Sequence, residues 1–181
     1  DLTDLSLIET GAVALEKQQL ECASVVEEIL ESLRPRAESR EVTLVAEVAP
    51  GLRLFCDRRR LEQVLINLVD NAIKFNRPGG RVTVRARPAE GVSATILEVE
   101  DTGIGIPIEA RARIFNRFFC VDRTRSRELG GTGLGLSIVK HLVHLHDGSI
   151  RVDSELGRGS VFRVEWPAPP QHALDGGGSG A

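Results

Sequence analysis

Three short glycine-punctuated segments constrain what this chain can fold into: DTGIGI (101–106), GGTGLGL (130–136) and GRGS (157–160). Each abuts a run with the periodicity of regular structure. SATILEVED (93–101) reads as a strand and delivers Asp101 directly into the first segment. GTGLGLSIVKHLVHLH (131–146) passes from glycines into a helix. GRGS lies at the turn of a closing hairpin formed by GSIRVDSE (148–155) and SVFRVEW (160–166). Glycine allows the backbone to approach a ligand or another strand closely. Such segments at the ends of elements are candidate binding loops.

The rest of the chain alternates between helical and strand patterns. Residues 1–17 read as the end of one helix, with Leu2, Leu5 and Ile8 at helical spacing and Gly11 as its stop. QLECA (19–23) predicts a short strand. Ser24 and Glu27 fit a capping box before Val25, Val26, Ile29, Leu30 and Leu33, and Pro35 is expected to kink or fray the far end. VTLVAEV (42–48) is a β-branched strand, followed by a PGL turn. Asp57 caps a helix over 58–75 with Leu61, Val64, Leu65, Leu68, Ala72 and Phe75 inward. RVTVRAR (81–87) pairs with 93–101 as a hairpin, and a short helix is expected near 109–119. The pattern predicts a two-layer α/β sandwich: a mixed, mostly antiparallel sheet with helices packed on one face.

Composition excludes several classes. A net charge of −3 over 181 residues gives no global attraction to nucleic acid or an anionic membrane. No run of 18 apolar residues offers a membrane span. The N-terminus is acidic and amphipathic, unlike a signal peptide, and the chain reads as a piece of a longer protein. Cys22, Cys56 and Cys120 are widely spaced, which suits reduced cytoplasmic thiols better than a metal site.

The helix over 58–75 carries a second pattern. Asn67, Asn71 and Lys74 recur at i, i+4 and i+7 and share a face beside the apolar stripe. Amide oxygens suit Mg²⁺, which prefers hard oxygen ligands, and the lysine can neutralise phosphate. Asp101 ends a buried strand as a carboxylate in need of a donor, such as the exocyclic amine of a base. GGTGLGL opens a helix whose N-terminal N–H groups and dipole favour phosphate. It is not a Walker loop, because no Gly-Lys-Ser/Thr follows. Alone, each segment also fits a plainer role: a solvated helix face, an Asp-capped turn or a hinge.

Together and in order, NLVDNAIKF (67–75), DTGIGI, IFNRFF (114–119), GTGLGL and SELGRGSVF closely resemble the N box, glycine boxes, F box and final glycine motif of the catalytic ATP-binding domain of sensor histidine kinases. The resemblance covers about 20–166 and implies a Bergerat-type fold with a mobile ATP lid over 119–132. LTDLSLIETG (2–11) resembles the end of the second dimerisation helix of these kinases. The implied organisation is a dimerisation-helix remnant and linker (1–17), the catalytic domain (18–167) and a flexible tail (168–181).

The resemblance makes Asn71 the Mg²⁺ ligand, Asn67 a supporting contact and Lys74 a phosphate contact. Phe75 would pack near the base, and Asp101 would accept from the adenine amino group. Gly103 and Gly105 would shape the pocket floor, and Ser160 would assist through water. Gly131, Thr132, Gly133, Leu134 and Gly135 would cradle the phosphates. Where related ATPases have a water-activating Glu, this chain has Asn67, and an amide cannot act as a general base. That points to γ-phosphate transfer rather than hydrolysis. Cys120 stands where most relatives have an arginine aimed at the terminal phosphate, leaving Arg123 as the candidate substitute.

The partners implied are a dimerisation domain carrying the phosphoacceptor histidine, outside this chain, and a response regulator, with no nucleic acid. The chain itself is expected to be monomeric, the parent homodimeric, and the domain cytoplasmic, with membrane anchoring of the parent left open. His141, His144, His146 and His172 do not hold the phosphoacceptor position. Two other functions fit the same fold: a degenerate nucleotide-binding signalling module without phosphotransfer, and a serine kinase of the anti-sigma type.

Overall fold

A computed structural model describes residues 14–122, 124 and 130–168. The elements run β1 (Lys17–Glu21), α1 (Cys22–Glu38), β2 (Thr43–Val48), β3 (Arg53–Asp57), α2 (Arg58–Lys74), β4 (Arg81–Pro88), β5 (Ala94–Asp101), the short α3 (Ile108–Arg111), α4 (Gly135–Leu145), β6 (Ser149–Glu155) and β7 (Gly159–Pro167). The main sheet has the order β2-β4-β5-β7-β6. Its β2–β4 pair is parallel and the other pairs are antiparallel. β1 and β3 form a separate antiparallel pair. The expected two-layer sandwich with a mixed sheet is therefore present.

Strand alternation assigns the two faces of the sheet. Val82, Val84, Ala86, Leu97, Val99, Phe162 and Val164 are buried against the helices. They meet Val25 and Val26 of α1, Leu61, Val64, Leu65 and Leu68 of α2, and Val139 and Leu142 of α4 in one core. The intervening residues form a charged lattice on the other face. Arg85 pairs with Glu47 at 2.6 Å and with Glu100, and Arg163 pairs with Glu98 at 2.6 Å. Arg163 stands opposite Glu98 in the β5–β7 register, so the lattice follows directly from strand pairing.

Several local expectations need correction. The first long helix starts at Cys22 with Glu21 as N-cap, not at a Ser24–Glu27 capping box. Cys22 N–H bonds Leu52 O, which seats the helix directly on the end of β1, and Ser24 Oγ instead donates to Glu21 Oε2. The first strand accordingly lies at Lys17–Glu21 rather than 19–23. Pro35 does not end the helix, which continues to Glu38. Ala37 anchors the last turn in the core, and Ser39 N–H bonds Pro35 O. β3 was not foreseen: its five residues are too short to show a period, and pairing with β1 makes it a strand. Regular helix near 109–119 is confined to Ile108–Arg111, and the residues that follow run as turns. α2 stops at Lys74, leaving Phe75 as its C-cap rather than an inward helical residue. The expectations for 1–13 and 169–181 lie outside the described residues, while Lys17 and Pro167 belong to strands.

Asp57 caps α2 as expected, its Oδ1 accepting from Arg60 N–H and its Oδ2 from Glu16 N–H. His146, at the far end of α4, is buried against this junction. Its Nε2 accepts from Asp57 N–H at 3.2 Å, its Nδ1 bonds Leu142 O at 2.8 Å, and its ring lies 4.7 Å from that of Trp166. These bonds require the neutral tautomer with the proton on Nδ1. Burial pushes the His146 pKa below its ordinary 6.5. The unfolded chain therefore binds this proton more readily, and the contribution is lost as pH falls below about 6.5. His146→Leu should cost about 2 to 4 kcal/mol by leaving two buried backbone groups unpaired. Chemical denaturation at pH 5.5 and 7.5 should show a smaller acid-side loss in that variant than in the wild type.

Candidate functional site

The same alternation that builds the core carries Asp101 to its place. Asp101 ends β5 on the helix-facing side, in register with Ser160 of β7 and two residues beyond the buried Val99. Only 8% of Asp101 is exposed. Gly103 N–H donates to its Oδ1 at 2.8 Å. Burial raises the Asp101 pKa to about 6, against the pull of the backbone N–H groups of Gly103 and Ser160. The carboxylate stands at the wall of a cavity of about 320 Å³.

α2 supplies a second part of the wall. Its inner face is core, and Asn67, Asn71 and Lys74 turn toward the cavity. Asn67 Nδ2 donates to Gln63 O at 2.9 Å, leaving its oxygen for the site. Gly135 allows that approach, since a Cβ there would lie 2.8 Å from Asn67 Oδ1. Lys74 Nζ is 2.8 Å from Asp70 Oδ2, one helical turn back.

The glycine segments close the remaining sides. At Gly105 φ is +72°, and a Cβ would come within 2.1 Å of Glu155 O, so a side chain is excluded by strain and by space. Thr132, Gly133, Leu134 and Gly135 line the cavity where α4 begins. No side chain caps that helix end, so its first N–H groups remain available to an anion. The aromatic knot IFNRFF contributes Ile114 and Phe119 to the wall, while Phe115 packs edge-on against Phe162 at 6.3 Å.

The structure thus brings to one cavity Asn67, Asn71, Lys74, Phe75, Asp101, Gly105, Gly131, Thr132, Gly133, Leu134, Gly135 and Ser160. Gly103 stands behind the wall, holding Asp101. Arg123 lies outside the described residues. Cys120 lines the cavity beside Gly133. Asp70 was missed as a site residue; its only sequence signal was the i, i+4 spacing to Lys74.

A model of the "Histidine kinase-, DNA gyrase B-, and HSP90-like ATPase" family matches residues 56–170. The chain belongs to this family. Within it, the chain corresponds to the catalytic ATP-binding domain of bacterial sensor histidine kinases. It is 39% identical over 97% of its length to the circadian input-output histidine kinase CikA of Synechococcus elongatus, covering 24% of that protein. It is 40% identical over 94% of its length to the sensor protein DivL of Caulobacter vibrioides, covering 21% of it. The chain therefore spans about a quarter or less of these relatives. Among solved structures, full-length ShkA in complex with AMPPNP is 31% identical, with a TM-score of 0.82 over 92% of this chain and 34% of that one. The mycobacterial sensor histidine kinase MprB is 31% identical, with a TM-score of 0.72 over 86% of this chain and 99% of that one.

In this kinase domain the ligand-free state carries the cost of Asp101. Its pKa near 6 exceeds the ordinary 3.8, so between these values the folded state holds a proton that the unfolded chain releases. Stability contributed by this group rises as pH falls from 6 toward 4 and is absent at neutral pH. Asp101→Asn, which keeps an acceptor for Gly103 N–H, should stabilise the ligand-free domain at pH 7.5 by about 1 to 3 kcal/mol. The gain should shrink toward pH 4.5, and thermal melts at both pH values would check it.

Proposed function

We propose that this domain binds ATP with Mg²⁺ and delivers the γ-phosphoryl group to a histidine on a dimerisation domain outside this chain, in two-component signalling. The observation that carries the reading is one cavity lined by a buried carboxylate, an uncapped helix start and an amide-bearing helix. A nucleotide has a base with an amino donor and a run of phosphates, and the cavity offers an acceptor for the one and donors for the other.

Asp101 accepts the adenine amino group, and its burial strengthens that bond while excluding a competing carbonyl. Phe75 packs near the base, and Ser160 supports that end. The N–H groups at the start of α4, with Gly131 and Gly133, take the phosphates, and Lys74 adds charge. Asn71 holds the metal, supported by Asn67. The amide oxygens and the space at Gly135 fit a hard cation that retains other oxygen ligands. Among the described residues no cluster of three His, Cys, Asp or Glu forms a metal cage. When bound, Mg²⁺ neutralises phosphate charge.

Transfer to an acceptor is favoured over hydrolysis by what stands beside the metal position. Asn67 cannot take a proton. Of the carboxylates that line the cavity, Asp70 is paired with Arg36 and Lys74, Asp101 accepts from Gly103 N–H and Asp122 accepts from Thr124 N–H. Phosphoryl transfer depends mainly on positioning and charge stabilisation, so an incoming histidine suffices as nucleophile. Arg123 is proposed to supply the cation that Cys120 does not. Among the described residues no helix is long and apolar enough to cross a membrane, and we assign the domain to the cytoplasm, with a response regulator downstream and a homodimeric parent.

The test is a calorimetric titration with ATP, with and without Mg²⁺. Wild-type chain should bind saturably. Asp101→Asn should weaken binding about 10- to 100-fold, and Asn71→Ala should remove most of the Mg²⁺-dependent gain. Unchanged affinity in Asp101→Asn would overturn the reading. A separately produced dimerisation domain should acquire phosphate from ATP only when this chain is present.

A further inference from the structure

α1 contributes no residue to the cavity wall among the described residues, yet its last turn reaches the cavity lysine from two directions. Arg36 NH1 lies 2.8 Å from Asp70 Oδ1. The other oxygen of the same carboxylate, Oδ2, lies 2.8 Å from Lys74 Nζ. Just past the helix, Arg40 NH1 donates to the Lys74 carbonyl at 3.4 Å. One end of α1 thus touches the backbone of Lys74 directly and its ammonium through Asp70.

The exposures show which of these groups is free to move. The Arg36 side chain is 46% exposed, whereas those of Asp70 and Lys74 are 16% and 12% exposed. A lysine in solution distributes over many rotamers. Here a shielded carboxylate holds it as an ion pair, and a guanidinium from another helix stands against the same carboxylate at ion-pair distance, without hydrogen-bond geometry to Oδ1. An ammonium carries three donors, so its pairing with Asp70 leaves donors for phosphate. The arrangement differs from a surface i, i+4 pair, which has no third member and little effect.

We infer that Asp70 and Arg36 are positioning residues for the phosphate-binding lysine: Asp70 aims Lys74 into the cavity, and the last turn of α1 braces Asp70. The inference rests on the assignment of Lys74 to phosphate and adds a specific dependence. Lys74 answers to the packing of α1 on α2, while Asp101 and Ser160, held by the β5–β7 pairing, do not. A shift of α1 alters affinity for the phosphates without altering affinity for the base.

The experiment measures dissociation constants of the full chain for ATP and AMP, using wild type, Lys74→Ala, Asp70→Glu, Arg36→Gln and the double variant Arg36→Gln/Lys74→Ala. Asp70→Glu retains the charge and displaces it by one methylene. It should weaken ATP binding about 3- to 10-fold while AMP changes less than about twofold. Arg36→Gln should weaken ATP about 2- to 5-fold in the wild type and have little further effect once Lys74 is removed. Long-range loss of a positive charge would instead persist in the double variant. A merely structural role would weaken both nucleotides alike.

Lys74-dependent ATP binding that is indifferent to Asp70→Glu, or an additive Arg36→Gln effect, would overturn the inference and leave the functional reading standing. Tighter ATP binding in Asp70→Glu would also overturn it, by showing that Asp70 withholds the lysine. ATP binding that does not depend on Lys74 would remove the phosphate assignment and the inference together. Thermal melts of every variant confirm that the comparison is between folded proteins.

Discussion

A carboxylate held out of water at the end of a central strand is the constraint on which the site depends. Asp101 is placed by the pairing of β5 with both β4 and β7. A slip of one residue in either register would turn it to the charged face of the sheet. The buried residues Leu97 and Val99 on its own strand and Phe162 and Val164 on β7 prevent that slip, since each would lose its core contacts. The hydrophobic core and the place of Asp101 in the cavity are thus specified by one alternation. The cost of burying the charge is borne by the empty protein and relieved by a ligand that donates to it.

α2 obeys the same economy with a different period. Its inner residues Val64, Leu65, Leu68 and Ala72 fill the core, and Asn67, Asn71 and Lys74 lie on the adjoining face. A helix capped at its start by Asp57 and buried along its inner face therefore presents the amides from its second half. The glycine-bearing parts of the wall are loops by contrast. Their glycines permit close approach, and without a side-chain cap the start of α4 leaves donors unspent. Under the proposed function, rigid recognition of the base and adaptable enclosure of the phosphates suit a phosphoryl donor, whose terminal phosphate must become accessible to a second domain.

α4 links that loop to the opposite end of the domain. It begins at the cavity with Gly135 and ends at His146, which bonds the Asp57 N–H at the start of α2. Asp57 in turn holds Glu16 N–H, just before β1. Glu16 is therefore tied through Asp57 to the same two helices that line the cavity. The open face of the sheet takes no part in this: its cross-strand ion pairs satisfy themselves and face solvent.

The sequence by itself determined the long amphipathic helix over α2, the strands β4 to β7, the Asp57 cap and many of the residues that line the cavity. Those signals are local: a period of two or 3.6, a capping side chain, glycines at element ends. Tertiary structure alone decided what depends on partners distant in sequence. β3 is a strand because β1 lies beside it, and the start of α1 is set by Leu52 O rather than by Ser24. Pro35 is tolerated because the turn beyond it is buried through Ala37. Asp70 gained its place in the site from Arg36, 34 positions away on another helix. No window of sequence contains that contact, since helix packing, and not periodicity, brings the two charges together.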